Sequence, residues 1–298
     1  MDVVERVAGI RMGRSGGGRA PHKPLLLLYA LGRFQRSGPG PIRYAEAEGP
    51  LKRLIRDFAP PRAGGPYYPF HHLANDDGVW VVSSDRGPGS PGASPKMLRE
   101  SGAVGRLGPE IVRELVARPE VLPVLARVLL DDNFEPSLHS DICRAVGLDL
   151  ADAGYTHVPA RGGRRRDPVF RVAVLRAYEY MCAFCGYEGR LDDGAAVGLD
   201  AAHVRWWAFD GPDSVDNGLC LCALHHKLFD KGVLGLTDDR LIAVSAAFVG
   251  RTAAARAQVH ALAGRELCGP APAATGVRTD HIAWHRREVF HGEPRVPA

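Results

Sequence analysis

The chain has 298 residues, enough for two domains of ordinary size, and its 45% apolar content is that of a folded protein rather than a disordered one. The net charge is only +4, yet Arg6, Arg11, Arg14, Arg19, Lys23, Arg33, Arg36, Arg43, Lys52, Arg53 and Arg56 meet just five acids in the first sixty residues, which points to a polyanion partner or, equally, to a solvated basic face. No apolar run reaches the length of a membrane span and no secretory h-region opens the chain, so a cytoplasmic protein with reduced thiols is expected.

Residues 11–23, R-M-G-R-S-G-G-G-R-A-P-H-K, are too rich in Gly and Arg for a regular element. Pro24 suits a first helical turn and predicts a buried helix over Leu25–Phe34, ended by the breaker S-G-P-G-P. A short amphipathic helix is expected at Pro50–Phe58. The aromatic run Tyr67–Leu73 then leads through an N-D-D-G turn into a strand at Val79–Val82, and residues 83–95 read as a loop. Helical patterns follow at Pro95–Ser101, Glu110–Ala117, Val121–Leu130 and Ser137–Val146, the last capped by Ser137 and closed by Gly147.

Residues 151–167 read as a basic linker whose Arg161, Arg164, Arg165 and Arg166 either follow a nucleic-acid backbone or are simply solvated. Asp167-Pro168 opens a helix over Val169–Tyr180. Beyond it come a cysteine knuckle, a strand ending near His203, a helix holding His225 and His226, and a strand pair around Leu234–Val244. Helices are expected near Thr252–Leu262 and Asp280–Phe290. The organisation is therefore α+β: a mostly helical domain with a short strand element over 1–150, the linker over 151–167, and a second domain over 168–298.

Four of the six cysteines lie between 182 and 222, which favours a metal site over a disulfide framework. Cys182-x-x-Cys185 and Cys222-x-x-His225 share one spacing, and together they suit a tetrahedral Cys3His zinc site. Cys220 is the competing ligand, while Cys143 and Cys268 read as ordinary thiols. Neighbouring side chains on a helix diverge by about 100°, so His226 can serve a different centre from His225. A divalent ion near His226 would stabilise charge on a leaving oxygen, and His203 is suited to take a proton from water. Asn217 either orients His203 or helps to hold the ion. The alternative is a structural zinc knuckle decorated by three polar residues. Trp206 and Trp207 read as core in preference to DNA contacts, and Asp230 as a buttress of the helix end.

The order Cys-x-x-Cys, Asp200-Ala-Ala-His203-Val, Asn217-Gly-Leu, Cys222-x-x-His225-His226-x-x-Phe229-Asp230 resembles the HNH nucleases of the ββα-metal fold, most closely their McrA-like restriction branch, over about residues 168–290. The resemblance implies a phosphodiester hydrolase using Mg2+ or Mn2+, with His203 as general base, Asn217 as the middle residue and His226 as the last, metal-binding histidine. It departs from that pattern at Ala202, where many such enzymes carry an acidic metal ligand; Asp200 is the candidate substitute.

Arg19–Leu31, Tyr68-Pro69-Phe70 and the Phe134–Leu148 segment resemble the sulfur-binding domain of McrA-type enzymes that recognise phosphorothioate-modified DNA, over about residues 1–150. Sulfur in place of one non-bridging oxygen keeps the charge but makes that corner larger, softer and less hydrated. A reader then needs an apolar hollow beside cations. Tyr68, Pro69 and Phe70 are candidates for the wall, with His72 nearby. Arg19, His22 and Lys23 sit at a helix entrance that favours anions, and Lys96 and Arg99 are further phosphate candidates. The plainer readings are a packed Tyr-Pro-Phe segment and an ordinary helix start. The implied function is a type IV restriction endonuclease acting on phosphorothioated double-stranded DNA, as a homodimer if both strands are cut at once. A nuclease reading methylated or unmodified DNA and a non-catalytic zinc-containing DNA-binding regulator are the alternatives.

Overall fold

The apolar run after Pro24 does build a helix, and it becomes the axis of the first half of the protein. The computed structural model describes residues 2–11, 13–15, 18–60, 64–76, 78–150, 167–192 and 194–297, with the backbone alone at 13–15, 18–19 and 168. The linker arginines Arg161, Arg164, Arg165 and Arg166 lie outside the described residues. The chain divides into two compact units, residues 1–164 and 165–298.

In the first unit, α1 (Val3–Ala8) precedes an antiparallel pair, β1 (Gly13–Ser15) and β2 (Gly18–Ala20), in which Arg14 faces Arg19. The expectation of no regular element there is corrected: strand pairing uses backbone groups, which glycine supplies as well as any residue. Helix α2 (His22–Ser37) is longer than expected and is buried continuously from His22 to Gly32. It packs against α3 (Tyr44–Phe58), reached through β3 (Ile42–Arg43), and against α4 (Tyr67–His72). Helix α3 begins six residues before Pro50. Its buried face of Tyr44, Ala47, Leu51, Leu54, Ile55 and Phe58 has helical spacing and carries the helix through the proline.

Strands β4 (Trp80–Ser84) and β5 (Gly87–Pro88), helix α5 (Pro95–Glu100) and strand β6 (Val104–Leu107) follow. The four-stranded sheet has the order β3-β6-β4-β5 and is antiparallel throughout. Helices α6 (Pro109–Ala117), α7 (Val121–Asp131) and α8 (Pro136–Val146) complete the unit, and α7 and α8 both pack on α2. At the α2–α8 contact a Cβ on Gly32 would lie 2.1 Å from the Val146 carbonyl oxygen, so only glycine permits that approach. Ser137 does not cap α8: Pro136 holds the first helical position and no side chain caps the start. Gly147 does close the helix, in the left-handed conformation at φ 68°.

The second unit opens with α9 (Pro168–Ala177), capped by the Asp167 carboxylate, which accepts from the Val169 N–H at 2.8 Å. Strands β7 (Leu199–His203) and β8 (Gly218–Cys222) pair antiparallel with His203 opposite Gly218, and α10 (Ala223–Asp230) follows directly, giving a ββα unit. Strands β9 (Leu234–Leu236) and β10 (Ile242–Val244) form a second hairpin, with α11 (Ala253–Gln258) and α12 (Thr279–Glu288) around it. One apolar core joins Phe170, Val174 and Tyr178 to Leu199, Val204, Leu219, Leu221, Phe229 and Ile282. Trp206 is buried against Phe209 and Trp284, so it serves the core as expected. Among the described residues no helix is long and apolar enough to cross a membrane.

Candidate functional site

The second unit brings two cysteine pairs to one point. The ligand atoms of Cys182, Cys185, Cys222 and His225 all lie within 4.8 Å of one another, the single such group among the described residues. The first pair sits in the knuckle after α9, where Gly186 takes a φ of 73°. The second pair spans the β8–α10 junction, where Cys222 directly precedes the helix and His225 is one turn in. His225 Nδ1 lies 3.2 Å from Cys222 Sγ and 3.5 Å from Cys182 Sγ. Its Nε2 lies 2.9 Å from the Gln258 carbonyl, which only accepts. The ring therefore carries its proton on Nε2 and turns the Nδ1 lone pair toward the thiols, the orientation of a metal-ligating histidine. The Cys182 thiol is pulled down, chiefly by Cys222, while burial beside Cys182 pushes Cys220 up to about 12. Cys220 remains a core residue. Three soft thiols and one imidazole at this separation fit a tetrahedral metal ion.

The hard-ligand residues are arranged differently from expectation. His203, at the end of β7, is 4% exposed, stacks on Phe170 with ring centroids 4.1 Å apart, and places Nε2 2.8 Å from Asp213 Oδ1. Asn217 is not placed as an ion ligand. It is fully buried, its Oδ1 accepts from the Arg205 N–H at 2.8 Å, and its Nδ2 donates to the Arg205 and Pro212 carbonyls at 2.9 Å each. The amide thus staples the loop between β7 and β8, whose polar backbone it satisfies. Asp200 is likewise not a substitute for the acid missing at Ala202. Three residues from His203 on a strand, it points to the other face, where its exposed carboxylate accepts from Arg171 at 2.9 Å. His226 lies 3.2 Å from Asp230, one helical turn on along α10. A carboxylate behind an imidazole fits a metal-ligating histidine and its orienting partner.

One acid was missed, and so was the partner of another. Asp213 was legible only as part of a polar loop, four residues before Asn217. Asp230 was read as a buttress of the helix end, and its i,i+4 spacing from His226 was the signal of their pairing.

In the first unit, Tyr68 joins His22 and His72: its ring centroid is 6.3 Å from His22 and 4.3 Å from His72. Burial first and then the Lys23 charge push the His72 pKa down. Lys23 is not a free phosphate contact. It is buried and paired with Asp76, which also accepts from the Arg11 N–H at 3.1 Å. Phe70 is not an exposed wall either. It lies on the inward face of α4, fully buried between Tyr44 and Trp80, and Pro69 is buried beside it. Arg99 is held by the Glu48 carboxylate at 2.8 Å rather than free for a phosphate, and exposed Lys96 is 3.9 Å from Glu100. Arg19 lies on β2, and its side chain is outside the described residues.

His22 has neither ring nitrogen in a well-formed hydrogen bond, and burial pushes its pKa down to about 4, offset in part by the Gly64 backbone. The folded state thus holds this imidazole neutral while the unfolded chain protonates near pH 6.5. Its contribution to stability is complete above about pH 6.5 and is lost as pH falls toward 4, by up to ~3 kcal/mol. Urea denaturation between pH 7.5 and 4.5 should show this loss, and His22→Gln should flatten it; an unchanged slope in the variant would refute the assignment.

A ββα unit with a histidine at the first strand end, an asparagine staple and a Cys3His group able to hold a metal ion defines a DNA nuclease domain of the HNH type, and residues 182–237 match the HNH endonuclease family model. Residues 1–151 match the ScoMcrA-like, DNA sulfur-binding domain model, and the chain belongs to that family. Similar solved structures include the sulfur binding domain of ScoMcrA complexed with phosphorothioated DNA, 22% identical, covering 50% of this chain and 96% of that one at a TM-score of 0.40. The corresponding SprMcrA complex is 23% identical, covering 51% and 95% at 0.42. The modification-dependent TagI restriction endonuclease is 27% identical, covering 48% and 41% at 0.30. Comparison with curated proteins gave no match.

Proposed function

We propose that the protein is a modification-dependent, type IV restriction endonuclease, in which residues 1–150 bind phosphorothioated duplex DNA and residues 168–298 hydrolyse phosphodiester bonds nearby. The observation that carries this reading is the union, in one chain, of a sulfur-binding family domain and an HNH unit. In the first unit, the partly exposed Tyr68 and His72 rings, packed with the buried His22, offer a largely apolar surface suited to a soft anionic corner. Lys96 and Arg19 are candidates for the flanking phosphates, and their contribution is salt-dependent and blind to sequence.

In the second unit, His203 takes a proton from the attacking water as general base. Asn217 holds the β7–β8 loop in place around it. His226, oriented by Asp230, would hold a Mg2+ or Mn2+ ion, which when bound supplies positive charge against that developing on the phosphate. Cys182, Cys185, Cys222 and His225 would hold a structural zinc ion. One such site cuts one strand at a time, so a double-strand break calls for a homodimer or two visits. The cytoplasm, where these thiols stay reduced, is the compartment that suits the cluster.

The test is competition binding and cleavage by the full chain with paired duplexes that differ by one sulfur atom, alongside a methylated duplex of the same sequence. Tighter binding and cutting of the sulfur-marked duplex is expected. Equal affinity for all three would sink the reading, and preference for the methylated duplex would move the protein to a different mark.

A further inference from the structure

The carboxylate of Asp213 stands between two donors. Its Oδ1 is 2.8 Å from His203 Nε2, and its Oδ2 accepts from the Asp167 backbone N–H at 2.9 Å. Asp167 is the residue that caps α9, its own carboxylate being committed to the Val169 N–H. One turn into the same helix, Phe170 lies flat against the His203 ring, with an interplanar angle of 16°. The start of α9 therefore grips the histidine twice, once through its face and once through the acid that meets its edge. The acid's side chain is only 10% exposed and that of His203 is 4% exposed, so water competes little for either contact.

We propose that Asp213 is a positioning residue for the reaction, one that fixes the tautomer and angle of His203 from a frame built by the N-terminus of α9. A carboxylate has acceptors only, so the proton it shares with His203 belongs to Nε2, and the basic lone pair of the neutral ring lies on Nδ1. The nitrogen that works as the base is thereby Nδ1. Asparagine cannot replace the acid. It offers one acceptor where Asp167 N–H and His203 Nε2–H require two, and its amide donor facing the ring would favour the opposite tautomer. The inference rests on the reading of His203 as the general base, but the tautomer is observable without any cleavage.

The experiment uses the full chain labelled with 15N in its imidazoles. Two-bond 1H–15N correlation spectra near neutral pH distinguish Nε2–H from Nδ1–H rings, and the His203 signals are assigned by their loss in His203→Gln. The wild-type ring should be Nε2–H, and Asp213→Asn should convert it wholly or partly to Nδ1–H. In single-turnover cleavage of a sulfur-marked duplex, the same variant should be slower by roughly 10²-fold or more at unchanged duplex affinity. Asp213→Glu, which keeps a carboxylate, should recover part of the rate. An Nδ1–H ring in the wild-type protein overturns the proposal even if Asp213→Asn does not fold, and so does a variant with wild-type tautomer and rate. Cleavage that survives loss of His203 would instead remove the general-base assignment and leave the tautomer result standing.

Discussion

Replacing Cys222 with serine is expected to collapse the second unit while the first keeps its own thermal transition. Cys222 joins the knuckle at residues 182–185 to the start of α10, and the same helix carries His225 and His226. Structural zinc sites hold roughly 10–16 kcal/mol of apparent binding free energy. A whole domain nets only about 5–15 kcal/mol, so an ion of that kind would supply a large share of this unit's stability. The unit also has an apolar core reaching from Phe170 to Ile282, and its collapse is therefore predicted as a large downward shift of one transition rather than complete disorder. Differential scanning calorimetry with metal analysis checks this. Wild-type protein should contain about one equivalent of metal per chain, and strong chelators should move its second-unit transition far downward; Cys222→Ser should lack the metal and melt at that lower temperature. Cys220→Ser is the informative comparison. Cys220 lies in the core two residues away, and its substitution should leave the metal content intact. Metal-free wild-type protein with an unaltered melt would remove the structural-ion assignment.

What could be read in the sequence follows a simple division. The convergence of Cys182, Cys185, Cys222 and His225 was legible because a two-residue gap within each pair is a local geometric fact, repeated at Cys182 and Cys222. Helices α2 and α7 were legible through their apolar content, and α10 through its place after the second cysteine pair. Polar pairings between distant segments were not. Lys23 reaches Asp76 across 53 positions, and Arg99 reaches Glu48 across 51, so two cations that looked available for phosphate are committed to acids. Phe70 illustrates the same limit for packing. An aromatic two residues after Tyr68 was taken for a shared wall, but on a helix positions two apart lie on nearly opposite faces, and α4 presents Tyr68 to the histidines while it turns Phe70 into the core. In the nuclease unit, strand alternation separates Asp200 from His203, and the acid that meets the histidine comes from a loop with no periodic signature.

His203→Ala should lower cleavage by roughly 10²–10⁴-fold, the usual contribution of a positioned general base, and should leave affinity for sulfur-marked DNA unchanged. The separation follows from where the two tasks lie. The residues proposed to read the mark all belong to the unit ending at 164, whereas His203 is on β7 of the other. Histidine is also replaced here by a smaller apolar residue at a site lined by Phe170, so the fold loses a stacking contact but gains no buried charge. The acid is affected too: without the imidazole, Asp213 keeps the Asp167 N–H and loses the His203 contact. The double variant His203→Ala/Asp213→Ala removes the carboxylate as well and should remain equally inactive. Single-turnover cleavage followed with each strand labelled, together with binding isotherms at one fixed salt concentration, reads both quantities on the same preparation. Retained cleavage in the single variant would show that the proton is taken elsewhere; lost binding together with lost cleavage would show that His203 belongs to the DNA contact surface and not to the chemistry alone.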